Sequence, residues 1–215
     1  MRELTPAEAM GRALNKRWRK PLWQPFVAAC KRYGLTRAGD RIAAVLDGSA
    51  EALCAAALLR ELQRHSEVPF TLYVCPAPGT GPAEAFPERT GFALIPYDEA
   101  MAACNVRTGT VTMSEVCETL LASMLREGSL HAVPPRAETE DGRVLIQPLY
   151  CAERRDVGAW CRASGLPCRT APLTPDHARM RELIDELRRD HPNAEISLFR
   201  AVHAVRAGTF PHRND

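Results

Sequence analysis

Not one Cys-x-x-Cys pair occurs among the eight cysteines of this 215-residue chain, so zinc ribbons and thioredoxin-type redox motifs are excluded. Long apolar runs are missing as well. The most hydrophobic stretch, Ile42 to Leu59, is interrupted by Asp47 and Glu51, and Met1-Arg2-Glu3-Leu4-Thr5-Pro6 carries no apolar signal core. Aromatics are few, at 6%, and lysine is confined to Lys16, Lys20 and Lys31. What is present, 46% hydrophobic and 25% charged residues, is the composition of an ordinary compact domain. A chain of this length buries roughly 70% of its unfolded surface, enough for a core without disulfide staples. The cysteines therefore read as small buried hydrophobes with reduced thiols, and the expected location is the cytoplasm, away from any membrane.

The three lysines mark a charge asymmetry. Residues 1–41 hold ten Lys or Arg against Glu3, Glu8 and Asp40, a balance of +7, while the rest of the chain sums to −5. Lys16, Arg17, Arg19 and Lys20 surround Trp18, which makes a footprint for phosphates with a base-stacking ring in its middle. The plainer reading is a solvated helix face in an arginine-rich protein.

Thr5-Pro6-Ala7-Glu8 has the form of a capping box with proline at the first helical position, and predicts a helix running through the basic cluster toward Pro21. Leu22, Phe26, Val27 and Cys30 recur at helical spacing, and Gly34 stops that second helix. Arg41 to Leu46 is the short apolar run of a strand covered on both faces, Asp47-Gly48-Ser49 a tight loop, and Ala50 to His65 a helix. Phe70 to Cys75 completes a β-α-β unit. Beyond a Pro- and Gly-rich loop over 76–91, strands are predicted at 92–95, 106–112 and 144–146. Pro134-Pro135 opens a further loop, and helices are predicted at 98–103, 114–128, 153–164, 175–189 and 194–206. The fold class is α/β, a Rossmann-like parallel sheet with N- and C-terminal helices. Its expected organisation is a basic helical segment, 1–36, and one compact unit, 37–215.

A loop between the carboxyl end of a parallel strand and a helix is where α/β proteins hold phosphates, on backbone N–H groups and the helix dipole. Asp47-Gly48-Ser49-Ala50-Glu51 has that place. A carboxylate about 4 Å from a phosphate, at an effective dielectric of about 20, costs on the order of 4 kcal/mol, roughly a thousandfold in affinity. Two readings stand side by side. Asp47 and Glu51 share a magnesium ion that bridges to the phosphates, or Asp47 caps the following helix and the loop needs no ligand. The histidines show no ligand spacing, and Ser49 has neither a histidine partner nor a following glycine, so no metal site and no catalytic residue is assigned.

In order and spacing the chain resembles the PP-loop ATP pyrophosphatases, whose loop reads Ser-Gly-Gly-x-Asp-Ser, and among them the tRNA-cytidine 2-sulfurtransferase family. Leu14-Asn15-Lys16-Arg17, Gly39-Asp40-Arg41-Ile42, Glu118-Thr119, Ala132-Val133-Pro134-Pro135, Asp141-Gly142 and Gln147-Pro148-Leu149-Tyr150-Cys151 follow at the family's spacing. His191-Pro192 and Ser197 to Val202 resemble its closing helical segment. The resemblance implies a sheet of the adenine nucleotide alpha-hydrolase type, ATP and magnesium as cofactors, tRNA as partner and thiolation as activity, with a homodimer as the assembly. The positions it carries over to the nucleotide are Asp47, Gly48, Ser49, Glu51 and Glu115.

Those chemical positions are mostly substituted. Asp47 to Ala52 stand against Ser-Gly-Gly-Lys-Asp-Ser with only Gly48 identical, and Thr110 to Glu115 stand against Gly-His-x-x-Asp-Asp with only a carboxylate, Glu115, kept. The family's Cys-x-x-Cys has no counterpart between Asp98 and Cys104, and Cys168 lies three residues before its later cysteine, so no iron–sulfur cluster is expected. A kept framework with substituted chemistry implies a pseudoenzyme that has lost ATP-dependent tRNA thiolation and holds RNA or a protein through Lys16, Arg17, Trp18, Arg19 and Lys20. The alternative is an active adenylating and thiolating enzyme with a variant loop.

Overall fold

The structure, a computed structural model, describes residues 4–80, 90–166, 168–169 and 174–204. The capping box forms as expected: Thr5 Oγ1 accepts the Glu8 N–H at 3.2 Å and the Glu8 carboxylate accepts the Thr5 N–H at 2.8 Å, starting α1 (Pro6–Asn15). The helix does not run on to Pro21. Trp18 N–H reaches five residues back to Ala13 O, and a π-helical turn, Arg19–Trp23, leads into α2 (Gln24–Tyr33). The cause is Pro21, which has no N–H to donate and whose ring would crowd the carbonyl four residues earlier in a continuous α-helix. α2 stops at Gly34, whose φ of 60° is the left-handed conformation that glycine adopts freely.

β1 (Arg41–Leu46), α3 (Ala50–His65) and β2 (Thr71–Pro76) form the expected parallel β-α-β unit, with Arg41 opposite Thr71 and Leu46 opposite Pro76. Then follow α4 (Tyr97–Ala103), β3 (Val106–Thr108), α5 (Met113–Ala122), β4 (Arg136–Glu138), β5 (Val144–Ile146), α6 (Arg154–Ala163), α7 (Pro175–Asp190) and α8 (Ala194–His203). The sheet runs β2-β1-β3-β5-β4, parallel except for β4, which pairs antiparallel with β5 across the Asp141-Gly142 turn.

Three expectations need correction. Residues 92–95 make one bridge, Val74 with Leu94, and no strand, because Gly91 at φ 63° and Pro96 bound the stretch on both sides. β3 ends at Thr108 rather than at 112, since the Val111 N–H is taken by the Gln147 side chain instead of a ladder partner. β4 lies where a loop was expected after Pro134-Pro135, a three-residue edge strand too short for any alternation to show.

The chain divides into two compact units. The first comprises residues 1–113 and 134–172 and holds the sheet; the second comprises residues 114–133 and 173–215. The expected boundary at residue 36 falls inside the first unit. There α3 is buried nearly all round, from Ala52 to Leu59, and shares one core with Leu14, Phe26, Ile42, Ile146 and Trp160. In the second unit the buried Glu118 of α5 pairs with Arg181 of α7 at 3.2 Å, and Glu195 of α8 pairs with Arg188. Among the described residues no helix is long and apolar enough to cross a membrane.

Candidate functional site

β1 connects through α3 to β2 on one side of it and neighbours β3 on the other, so the carboxyl ends of β1 and β3 form the topological switch point of this sheet. That is where parallel α/β sheets open a crevice for ligands. On the β1 side stand Asp47, Gly48 and Ser49. Gly48 sits at φ 87°, a conformation costly for any other residue. Ser49 is extended at φ −74° and ψ 155°, and its Oγ accepts the Ala52 N–H at 3.1 Å, so Ser49 and not Asp47 caps α3. Asp47 acts one step earlier: its Oδ1 accepts the Ser49 N–H at 2.8 Å. Two of the backbone donors that a phosphate would need are thus occupied by the loop's own side chains.

A residue that the sequence did not single out closes the loop further. Arg169 N–H donates to Gly48 O at 2.8 Å and Arg169 bridges Ser49 in parallel register, while a Cβ on Gly48 would stand 3.4 Å from Arg169 Cδ. Arg169 is exposed, and its side chain lies against Gly48, its Nε 3.8 Å from where a Cβ on that glycine would stand. No local sequence signal marks it, because it lies more than a hundred residues from Gly48.

On the β3 side, Gly109 donates its N–H to Ile146 O at 2.7 Å and Gln147 Oε1 accepts the Val111 N–H at 3.1 Å. A Cβ on Gly109 would fall 2.7 Å from Gln147 Cδ, so any larger residue there must displace the Gln147 amide. Gln147 is buried and ties the end of β5 to the end of β3. Glu51 stands half-buried in the first turn of α3, and its charge adds to the burial that pushes the Cys54 thiol up. Glu115 stands half-buried in the first turn of α5, within the second unit. Asp47, Gly48, Ser49 and Glu51 are therefore gathered at one loop–helix junction of the first unit.

The basic residues occupy the turn between α1 and α2. Lys16, Arg17, Arg19 and Lys20 are exposed. Trp18 is half-buried against the core, and the Arg17 guanidinium carbon lies 5.2 Å above its ring. The turn is held by a buried carboxylate: Glu61 of α3 accepts from Asn15 Nδ2 at the end of α1 and pairs with His65 at 2.9 Å.

Six cysteines are free, and the sulfurs of Cys161 and Cys168 face one another beside Leu166. Desolvation pushes Cys30 and Cys117 up to about 12, and Cys75 and Cys151 up to about 11. Among the described residues no three His, Cys, Asp or Glu side chains gather as a metal set. At pH 7.5 iodoacetamide is expected to leave Cys30, Cys75, Cys117 and Cys151 unlabelled over minutes, with labelling rising as pH climbs toward their raised pKa values. Rapid labelling of one of them at neutral pH would reveal an activated thiol.

No protein-family model matches the chain. A tRNA-cytidine(32) 2-sulfurtransferase of Chromohalobacter salexigens is 26% identical over 251 aligned residues, covering 95% of this chain and 87% of the relative. The same enzyme of Sodalis glossinidius is 26% identical across 89% of this chain and 66% of its own length. The chain is a homologue of the tRNA-cytidine(32) 2-sulfurtransferases. A shorter match to the sulfurtransferase of Anaeromyxobacter dehalogenans is 35% identical over 97 residues, one third (33%) of that relative. The alignment with the Chromohalobacter enzyme is longer than this chain, so the sulfurtransferase carries stretches that its homologue lacks. In fold, the chain matches the U34-tRNA thiolase of Methanococcus maripaludis, solved with its [4Fe-4S] cluster, at a TM-score of 0.62 and 13% identity, covering 85% of this chain and 79% of the thiolase. The Rossmann-like α/β architecture is thereby shown.

Proposed function

We propose that this protein is a tRNA-binding PP-loop homologue of the cytoplasm whose β1–α3 loop no longer cradles ATP, so that it has given up ATP-dependent thiolation of tRNA. The relatives' names supply tRNA as the partner. The observation that carries the loss of ATP is the loop closed on itself: Asp47 Oδ1 takes the Ser49 N–H, Ser49 Oγ takes the Ala52 N–H, and Arg169 N–H takes Gly48 O. A carboxylate at that position repels the charge a phosphate would bring. The magnesium bridge that would rescue binding falls to the second oxygen of Asp47, since Oδ1 holds the Ser49 N–H.

Calorimetric titration of the folded protein with ATP and magnesium is expected to show no binding at ligand concentrations below millimolar. Micromolar binding would overturn the proposal and restore the reading of an adenylating enzyme, with pyrophosphate release in the presence of tRNA as the next measurement.

A further inference from the structure

From Ala9 to Gly39 the chain contains no carboxylate side chain, while eight cations from Arg12 to Arg37 are all exposed. Among the described residues none of the eight has an acidic partner within 4.0 Å, although Arg107, Arg126, Arg143, Arg181 and Arg188 of the same chain are each paired. Unpaired cations held together repel one another, a cost that an external polyanion removes. Their arrangement is ordered. Lys20, Gln24, Ala28, Lys31 and Arg32 are exposed at three- and four-residue spacings, so the cations of the π-helical turn and those ending α2 share one face. At 1.5 Å per residue that face is about 18 Å long, enough to follow successive phosphates.

The aromatic rings of the same segment are partly buried, and each is already engaged by a neighbour. Trp18 packs against the core beneath the Arg17 guanidinium, Trp23 is tilted against Phe26 with centroids 5.9 Å apart, and Tyr33 meets Tyr150 edge-on at 5.2 Å with Arg32 over its ring. Proteins that hold single strands interleave cations with exposed aromatic platforms, whereas proteins that hold RNA helices rely on phosphate and ribose contacts. This face has the cations without the platforms.

We infer that the face made by the α1–α2 turn and the exposed stripe of α2 binds the sugar–phosphate backbone of a double-helical RNA stem and reads no bases. The inference rests on the RNA-binding reading above and narrows it. Trp18 is a packing residue that holds the turn, and the cations around it make the contact.

Fluorescence anisotropy with labelled tRNA, a short RNA duplex and one strand of that duplex tests it on the full chain. The duplex and tRNA should bind alike, and the single strand about tenfold or more weaker. Replacing Lys16, Arg17, Arg19 and Lys20 together with Ala should weaken duplex binding by on the order of a hundredfold at 0.1 M salt and flatten the plot of log affinity against log salt by about three. Trp18→Phe, which keeps an apolar ring in the core, should leave affinity within about twofold. A single strand that binds as tightly as the duplex, or a tenfold loss in a Trp18→Phe protein of unchanged melting temperature, would overturn the inference and leave RNA binding itself standing. Failure of all three RNAs to bind folded protein would overturn both, and assign the face to an acidic protein partner.

Discussion

Replacing Asp47 with Ser is expected to raise affinity for ATP with magnesium by up to roughly a thousandfold, the counterpart of about 4 kcal/mol of repulsion removed at 4 Å and an effective dielectric of about 20. The change also frees the Ser49 N–H, now held by Asp47 Oδ1, to face a phosphate. Asp47 is exposed, so little packing is lost, and the stability cost is that of one local hydrogen bond, about 1 kcal/mol. Adding Ala50→Lys would return the cation that PP-loops carry. Ala50, however, is only 9% exposed, and a lysine there would have to displace its neighbours, so the single substitution is the cleaner measurement. Calorimetry on both proteins checks the result. An unchanged affinity would place the obstruction elsewhere, and the nearest structure to examine is Arg169, whose side chain covers Gly48; Arg169→Ala in the Asp47→Ser background would then separate charge from steric closure.

How far the sequence disclosed this site depends on how local each signal is. The β-α-β unit was legible because the apolar run of β1 and the capped helix after it are each written in consecutive residues, and the capping box of α1 in four. The position of the Asp47 loop followed from that order alone. Its internal roles did not, because capping by Ser49 depends on Gly48 turning to φ 87°, a dihedral that composition does not announce. Trp18 has the same lesson in another form. A ring among cations reads as a stacking platform until the fold decides which way it faces, and here the Pro21-driven π-helical turn puts it against the core. Arg169 and Gln147 were missed since each acts on a loop far away in the chain, as with the 36 residues between Val111 and Gln147.

That distant contact sets the second large effect. Gly109→Ala is expected to destabilise the protein by about 2–3 kcal/mol, seen as a lower urea midpoint with an unchanged slope. The added Cβ would collide with the Gln147 amide, which is only 3% exposed. Pushing that amide aside also takes the acceptor away from the Val111 N–H, adding the cost of a broken bond to the cost of overpacking. Both contributions run through one side chain, so they can be separated. Gln147→Ala alone should cost about 1–2 kcal/mol through the unsatisfied N–H and the small cavity, and in that background Gly109→Ala should cost well under 1 kcal/mol because its obstacle is gone. Additive losses in the double variant would mean that Gly109 is required for its backbone conformation and not for the close approach of Gln147. The non-additive result would fix the ends of β3 and β5 as one mechanical unit beneath the switch point, the rigid floor on which any ligand of that crevice would rest.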